Sequence, residues 1–277
     1  MKKNITFVIF TYNEEKRIGY IIKNFINYGD VFLMDGGSTD NTKKIAEELG
    51  AKYVLRPKSE KDFAEHTENY NFILKNINTE WIYWGFADNH APKSLLNKVS
   101  QVIKEGKIKY IMVPLYTYLY GKTKYPMLKS YNPMFFHKNY IDFTENTIHG
   151  MGKYLGRGDE KLILPNHDKY AVRHYSLYDL NKFIHNHLRY AEIEAKMKYE
   201  NGKKFNIFIM LGAMARYFIL YYKFSYKAGI KGLLMAIMYS FFRFMVYARL
   251  YEIENNLNLE IIEKKFIKSK EEILKEF

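Results

Sequence analysis

Residues 5–15 read ITFVIFTYNEE and residues 31–42 read VFLMDGGSTDNT, and this pair decides how the chain folds. Ile5 to Phe10 is an apolar, β-branched run, the composition of a strand covered on both faces of a sheet. It gives way to the polar cluster Thr11, Tyr12, Asn13, Glu14 and Glu15. Ile18, Ile21, Ile22, Phe25 and Ile26 then recur at helical spacing. A second apolar strand, Val31 to Met34, runs straight into Asp35. The spacing predicts a βαβ unit of about thirty residues whose polar residues collect where both strands finish. Ligands of open α/β sheets bind beyond the carboxyl ends of the strands, so residues 11–15 and 35–40 are expected to face one ligand.

The residue types narrow that ligand. Gly36 and Gly37 permit backbone geometry and close approach that a side chain would forbid. Ser38, Thr39 and Asp40 stand where they can cap a helix beginning at Thr42. Asp35 can accept hydrogen bonds from a base or ribose, as acidic residues do after the second strand of nucleotide folds. Neither G-x-G-x-x-G nor G-x-x-x-x-G-K-[ST] is present, which argues against dinucleotide and P-loop readings.

TFVIFTYNEEKRI followed at this distance by DGGSTDNT resembles the start of a family 2 glycosyltransferase, including enzymes that build lipopolysaccharide core. The resemblance implies an α/β GT-A nucleotide-diphospho-sugar transferase fold, a Rossmann-like mixed sheet. It also implies that Thr11, Tyr12, Asn13, Glu14, Asp35, Gly36, Ser38, Arg56, Ala87 and Asp88 line the nucleotide-sugar site. Residues 80–88, EWIYWGFAD, form the strand that in this fold carries a metal-binding D-x-D. Phe86 occupies the first acidic position and Asp88 the second. A Mg²⁺ or Mn²⁺ ion on the diphosphate is implied, with Asp88 as ligand and His90 or a distant histidine completing the shell; His174, in VRHYS, is the candidate for that place or for direct contact with the diphosphate. Relatives end an acceptor-side segment in His-Glu, where this chain has His149-Gly150. His149, whose ordinary pKa near ~6.5 suits a general base, is then the first candidate, with Glu145 and Asp159 behind it. Glu65, His66 and Asn69 lie on a helix that in the family runs close to the sugar nucleotide.

Further strands are expected at residues 51–55, 110–116 and 172–176, and helices at 62–75, 92–105 and 177–200. Pro114 favours an edge strand or a bulge. The tyrosine-rich stretch 116–131 reads as loop or edge structure whose rings could stack on sugars. The expected division is a catalytic domain over residues 1–202 and an amphipathic helical appendage over 203–277.

Charge separates the two parts. The 277-residue chain carries a net charge of +13, yet residues 1–100 are nearly neutral, with 14 basic and 13 acidic side chains. Residues 201–251 carry eight basic side chains and no acid, interleaved with Phe, Met, Ile, Leu and Tyr. That mixture suits an anionic membrane surface, whereas a nucleic-acid face would be polar between its basic residues, so no nucleic-acid partner is expected. Arg216, Lys223 and Lys227 fall on one side of a continuous helix, as in a helix lying in the interface plane. Cysteine is absent, which fits a reducing compartment, and the apolar run after MKKN is too short for a signal peptide. The expectation is an inverting, metal-assisted glycosyltransferase, peripheral on the inner face of the cytoplasmic membrane. It would act on a lipopolysaccharide core or lipid-linked saccharide, and self-association is one role for the charged C-terminal helix. A non-catalytic nucleotide-sugar or membrane adaptor is the competing reading, because Phe86 and Gly150 replace two acids.

Overall fold

The computed structural model describes residues 4–59, 64–144, 146, 150–176 and 179–275, the side chain of Lys268 excepted. Glu145 and His149 lie outside the described residues.

The predicted βαβ unit forms as β1 (Ile5–Thr11), α1 (Ile18–Phe25) and β2 (Asp30–Asp35). Every residue of β1 is buried, as a run without polar alternation requires. There follow α2 (Thr42–Glu48), β3 (Lys52–Leu55), α3 (Thr67–Asn76), β4 (Trp81–Phe86), β5 (Asn89–His90), α4 (Lys93–Glu105), β6 (Tyr110–Tyr118) and β7 (Leu128–His137). A two-stranded ladder joins β8 (Ile141–Asp142) to β9 (Lys153–Tyr154), and β10 (Lys161–Ile163) and β11 (Val172–Tyr175) return to the main sheet.

That sheet has the order β3-β2-β1-β4-β7-β6-β11-β5, with β10 also on β6. It is mixed: β1 is parallel to β2 and β4, while β7 runs antiparallel to β4. Two apolar layers cover its faces. Ile5, Phe7, Ile9, Val31, Leu33 and Tyr83 pack with α1 and α4 on one side. Val8, Phe10, Trp84, Phe136 and Phe143 pack with Tyr70 and Ile73 of α3 on the other.

Pro114 sits neither at an edge nor in an unpaired bulge. Residues 110–112 of β6 pair with β10 and residues 115–118 with β11, so the proline occupies the handover between two partners. The missing N–H falls where the ladder has no bond to lose.

The chain divides into two compact units, residues 1–118 with 129–176, and residues 119–128 with 177–277. The helix of residues 180–200, read from sequence as the end of the first domain, therefore groups with the helices that follow it. The second unit contains α5 (Leu180–Glu200), α6 (Ile207–Ser225), α7 (Ile230–Glu254) and α8 (Leu259–Leu274). Segment 119–128 belongs to it through Leu119 and Met127, which are buried with Met235. Among the described residues, 207–228 and α7 are long and apolar enough to cross a membrane. They differ in packing: the apolar window is 6% buried in the first and 39% in the second. Phe208, Ile209, Leu211 and Ile219 all stand exposed. Arg243, one of the eight basic side chains of residues 201–251, is buried and forked onto Glu194 of α5 at 2.7 and 2.8 Å. The acid that region 201–251 lacks is supplied by a neighbouring helix.

Candidate active site

Three parallel strand ends create the site. Thr11 is in register with Asp35, and Phe10 with both Met34 and Phe86. Asp35 and the turn after Phe86 therefore leave the sheet on the same edge, two strands or about 10 Å apart.

The two sequence motifs knit into one double loop. The Asn13 N–H donates to Ser38 Oγ (2.7 Å), and Asn13 Oδ1 accepts from the Thr39 N–H (2.8 Å). The Glu14 N–H donates to Thr42 Oγ1 (2.8 Å), and the Glu15 N–H to Asp40 Oδ2 (3.0 Å). Asp40 also takes the Thr42 N–H at the start of α2. Asn13 and Gly37 both have positive φ, 53° and 96°. The glycine allows the chain to curl over the carboxylate before it.

That carboxylate, Asp35, is fully buried and holds five hydrogen bonds. Oδ1 accepts from the Gly37 N–H (2.8 Å), the Ser38 N–H (2.6 Å) and Tyr53 Oη (2.9 Å). Oδ2 accepts from Thr11 Oγ1 (2.8 Å) and Ser38 Oγ (2.6 Å). Burial pushes the Asp35 pKa up, but the bonds from Ser38, Thr11 and Tyr53 outweigh it and hold the carboxyl below the usual value. Burial and the Asp35 charge push the Tyr53 hydroxyl up to about 12, so it remains a donor. A carboxylate has about four lone-pair sites, and here they are saturated. Asp35 thus organises the loop, and the groups left open to a ligand are around it: Tyr12, 61% exposed, and the backbone of residues 36–37.

On the other side of β1, Asp88 Oδ2 lies 3.1 Å from His174 Nε2, carried there by β11, whose residue 174 pairs with Asn89 of β5. Thr117 Oγ1 stands 3.4 Å from His174 Nδ1. Burial pushes Asp88 up, while the His174 charge and hydrogen bond, with Arg17, hold it below the usual value. Burial pushes His174 down, and Asp88 more than compensates, raising it. Arg17 is itself forked onto Glu14. Asp88 does not cap α4, whose N-cap is Pro92.

Among the described residues no group of three or more His, Cys, Asp or Glu side chains could hold a metal ion. One carboxylate and one imidazole still fit a divalent ion that draws its remaining ligands from a diphosphate and water, as Mg²⁺ usually does. His90 does not join them. It is paired with Arg173, one residue out of phase with His174, and so faces the opposite side of the sheet.

Other expected residues distribute as follows. The Arg56 N–H donates to the Asp35 carbonyl (2.7 Å), which leaves its exposed side chain at the same edge. Ala87 is buried in the apolar layer, so only its backbone can meet a ligand. Asp159 is not brought to the site: it precedes Lys161, which pairs with Tyr110 at the start of β6, and it lies 3.4 Å from Arg157. Thr117 is seven residues further along β6, roughly 23 Å at 3.3 Å per residue. Asn146 Nδ2 donates to the carbonyls of Glu65 (2.7 Å) and Gly150 (2.9 Å). Glu65 beside it is buried, and that burial raises its pKa. The sequence reading missed Tyr53, Arg17 and Thr117. Tyr53 was findable, because period-2 alternation along β3 puts it on the face of Leu33 and Asp35.

The family model for glycosyl transferase family 2 matches residues 6–162, more than half of the chain. The chain belongs to glycosyl transferase family 2. An uncharacterized glycosyltransferase of Rickettsia typhi is 28% identical over 266 residues, covering 91% of this chain and 88% of that one. A Staphylococcus aureus 4,4'-diaponeurosporenoate glycosyltransferase is 42% identical over 55 residues, covering 19% of this chain and 15% of its own. The crystal structure of Mycobacterium tuberculosis glucosyl-3-phosphoglycerate synthase with Mn²⁺ and UDP-glucose is 21% identical. It covers 43% of this chain and 44% of that one, less than half of each, at a TM-score of 0.33. The mixed sheet of this family 2 glycosyltransferase is of the GT-A type, with a helical C-terminal region, and its chemistry is sugar transfer from a nucleotide sugar.

Proposed function

We propose that the chain transfers a sugar, with inversion, from a nucleoside diphosphate-sugar to a hydroxyl of a membrane-associated glycan such as lipopolysaccharide core or a lipid-linked saccharide. The observation that carries this reading is the shared sheet edge on which the Asp35 double loop and the Asp88–His174 pair lie about two strands apart. The loop from Tyr12 to Ser38 receives the nucleoside, with Asp35 holding its shape. Asp88 and His174 hold Mg²⁺ or Mn²⁺, which when bound neutralises charge developing on the leaving diphosphate. A base must then take the acceptor proton within hydrogen-bond reach. His149, at the position where the resembling family has His-Glu, is the first choice and Glu145 the second, while Asp159 is at the far end of β6.

Residues 1–202 act as the catalytic domain and 203–277 as the appendage, although α5 packs within the helical unit that follows. The exposed apolar surface of α6 and its basic residues Arg216 and Lys223 support docking on an anionic leaflet, peripheral on the inner face of the cytoplasmic membrane. The solvated α8 is available for self-association. The adaptor reading draws on Phe86, which packs at 5.9 Å from Phe10 where an acid would otherwise stand.

A thermal-shift screen of UDP, GDP, CDP and ADP, with and without Mn²⁺, tests the reading. One diphosphate should stabilise the wild type more with Mn²⁺ than without, and Asp88→Ala should abolish the difference. No diphosphate binding under either condition refutes the nucleotide-sugar site. Metal-dependent binding without hydrolysis or transfer of any matching sugar nucleotide favours the adaptor.

A further inference from the structure

Beyond the Asp88–His174 pair, the sheet ends in two tyrosines that neither the donor nor the metal reading uses. Tyr118 closes β6 and Tyr175 closes β11, and the two are in register. Their rings stack at 5.3 Å with 30° between planes, and both are half-buried, so each keeps some surface open. The His90 ring meets Tyr175 edge-on at 5.8 Å and braces it. Arg173, two residues before Tyr175 on the same face, is exposed.

The position of this pair is informative. In the sheet β2, β1 and β4 are followed by β7, β6 and β11, so Tyr118 and Tyr175 end strands that lie beyond β4 from the Asp35 loop. The Tyr175 N–H donates to the Asp88 carbonyl (3.0 Å), which fixes the ring one residue from the histidine that faces Asp88. The tyrosines are therefore beyond β4 from the nucleoside loop, at the same carboxyl edge as Asp88 but on the face of β11 opposite to His174. Half-open aromatic faces bind apolar C–H surfaces, their hydroxyls serve polar neighbours, and rings held by packing lose little entropy on binding. A pyranose offers both kinds of group: a C–H face and a rim of hydroxyls.

We propose that Tyr118 and Tyr175 form the platform on which the acceptor saccharide stacks. This deepens the glycosyl-transfer reading and rests on it for the word acceptor. The platform selects a pyranose at the receiving end of the transfer rather than a small charged alcohol, because two stacked rings recognise a sugar face.

Saturation-transfer NMR on the full chain tests this with methyl β-D-glucopyranoside, methyl β-D-galactopyranoside and methyl α-D-mannopyranoside as probes. Affinity for UDP and GDP with Mn²⁺ is measured in parallel. At least one glycoside should bind the wild type, and Tyr175→Ala and Tyr118→Ala should each weaken it fivefold or more while diphosphate affinity stays within twofold. Tyr175→Phe, which keeps the ring, should retain binding. Tyr175→Leu, which fills similar space without a ring, should lose it, and this replaces the alanine variant if that fails to fold. Glycoside binding unchanged in the alanine or leucine variants, or no glycoside bound by the wild type, overturns the proposal. Diphosphate affinity falling together with glycoside affinity assigns the rings to the donor and overturns it too. Failure of every diphosphate to bind the wild type refutes the transferase reading instead, and the glycoside series still reports on the platform.

Discussion

Replacing Asp35 with alanine separates a residue that shapes a loop from one that reads a nucleoside. The substitution strands five donors. The Gly37 and Ser38 N–H groups and the Ser38 hydroxyl lie in a partly exposed loop and can turn to water. The Thr11 hydroxyl is buried and Tyr53 is half-buried, so these two turn to water less readily than the loop groups. At about 1.5 kcal/mol for each bond to a charged acceptor, the last two give ~3 kcal/mol, and the three others add no more than ~1 kcal/mol. Both tryptophans, Trp81 and Trp84, are buried in β4 of the first unit, so urea unfolding followed by their fluorescence reports on that unit. With a slope of about 2 kcal/mol per molar, the midpoint should fall by roughly 1.5–2 M. The difference from wild type should depend on pH in one direction. Because the folded-state pKa lies below the ordinary 3.8, the Asp35 contribution is complete above that value and fades as the pH falls through the folded-state value. Asp35→Ala should therefore converge on wild type only in acid. An alanine variant that unfolds within ~0.5 kcal/mol of wild type yet no longer binds a nucleoside diphosphate would refute the reasoning and make Asp35 a direct reader.

Three other expectations follow from the packing and the site. Asp88→Asn should weaken Mn²⁺-dependent diphosphate binding by tenfold or more in calorimetry while leaving metal-free binding near wild type; an equal loss in both would mean the carboxylate supports the loop instead. Glu194→Gln leaves the buried Arg243 guanidinium without its counter-charge and should destabilise the helical unit by about 3 kcal/mol in thermal melts, whereas Arg243→Met with Glu194→Met should recover most of it. Replacing Phe208 and Ile219 by glutamate should reduce co-flotation with phosphatidylglycerol vesicles several-fold, and unchanged flotation would remove α6 from the membrane reading.

The parts of the fold that sequence shows are those with one-dimensional signals. β1, β2 and β4 are largely apolar runs ending in Thr11, Asp35 and, two residues on, Asp88, so all three strand ends and their shared edge are legible in the sequence. The remainder depends on pairings between distant residues. β5 is only two residues long and exists because β11 returns to it. Asp35 looked like a binding group because its donors include Tyr53, eighteen positions away, and a free acidic residue and a saturated one look alike in a string of letters. Arg243 counts among the basic residues of a membrane-suited stretch because its partner Glu194 is two helices earlier. Tyr118 stands out as part of a tyrosine-rich stretch suited to stacking on sugars, but its adjacency to Tyr175 is a matter of register between residues fifty-seven positions apart.

Register is also where the proline of β6 has its effect. Because Pro114 offers no donor, the edge of β6 away from β7 is shared by two partners, with β10 stopping at Met112 and β11 starting at Leu115. Sliding β11 back by one residue would push its first rung toward the position with no N–H. It would also turn His174 to the face now held by Tyr175. A single ring closure in the middle of a strand thus acts as an index mark: it keeps the histidine aimed at Asp88 and the tyrosine aimed away, although it touches neither.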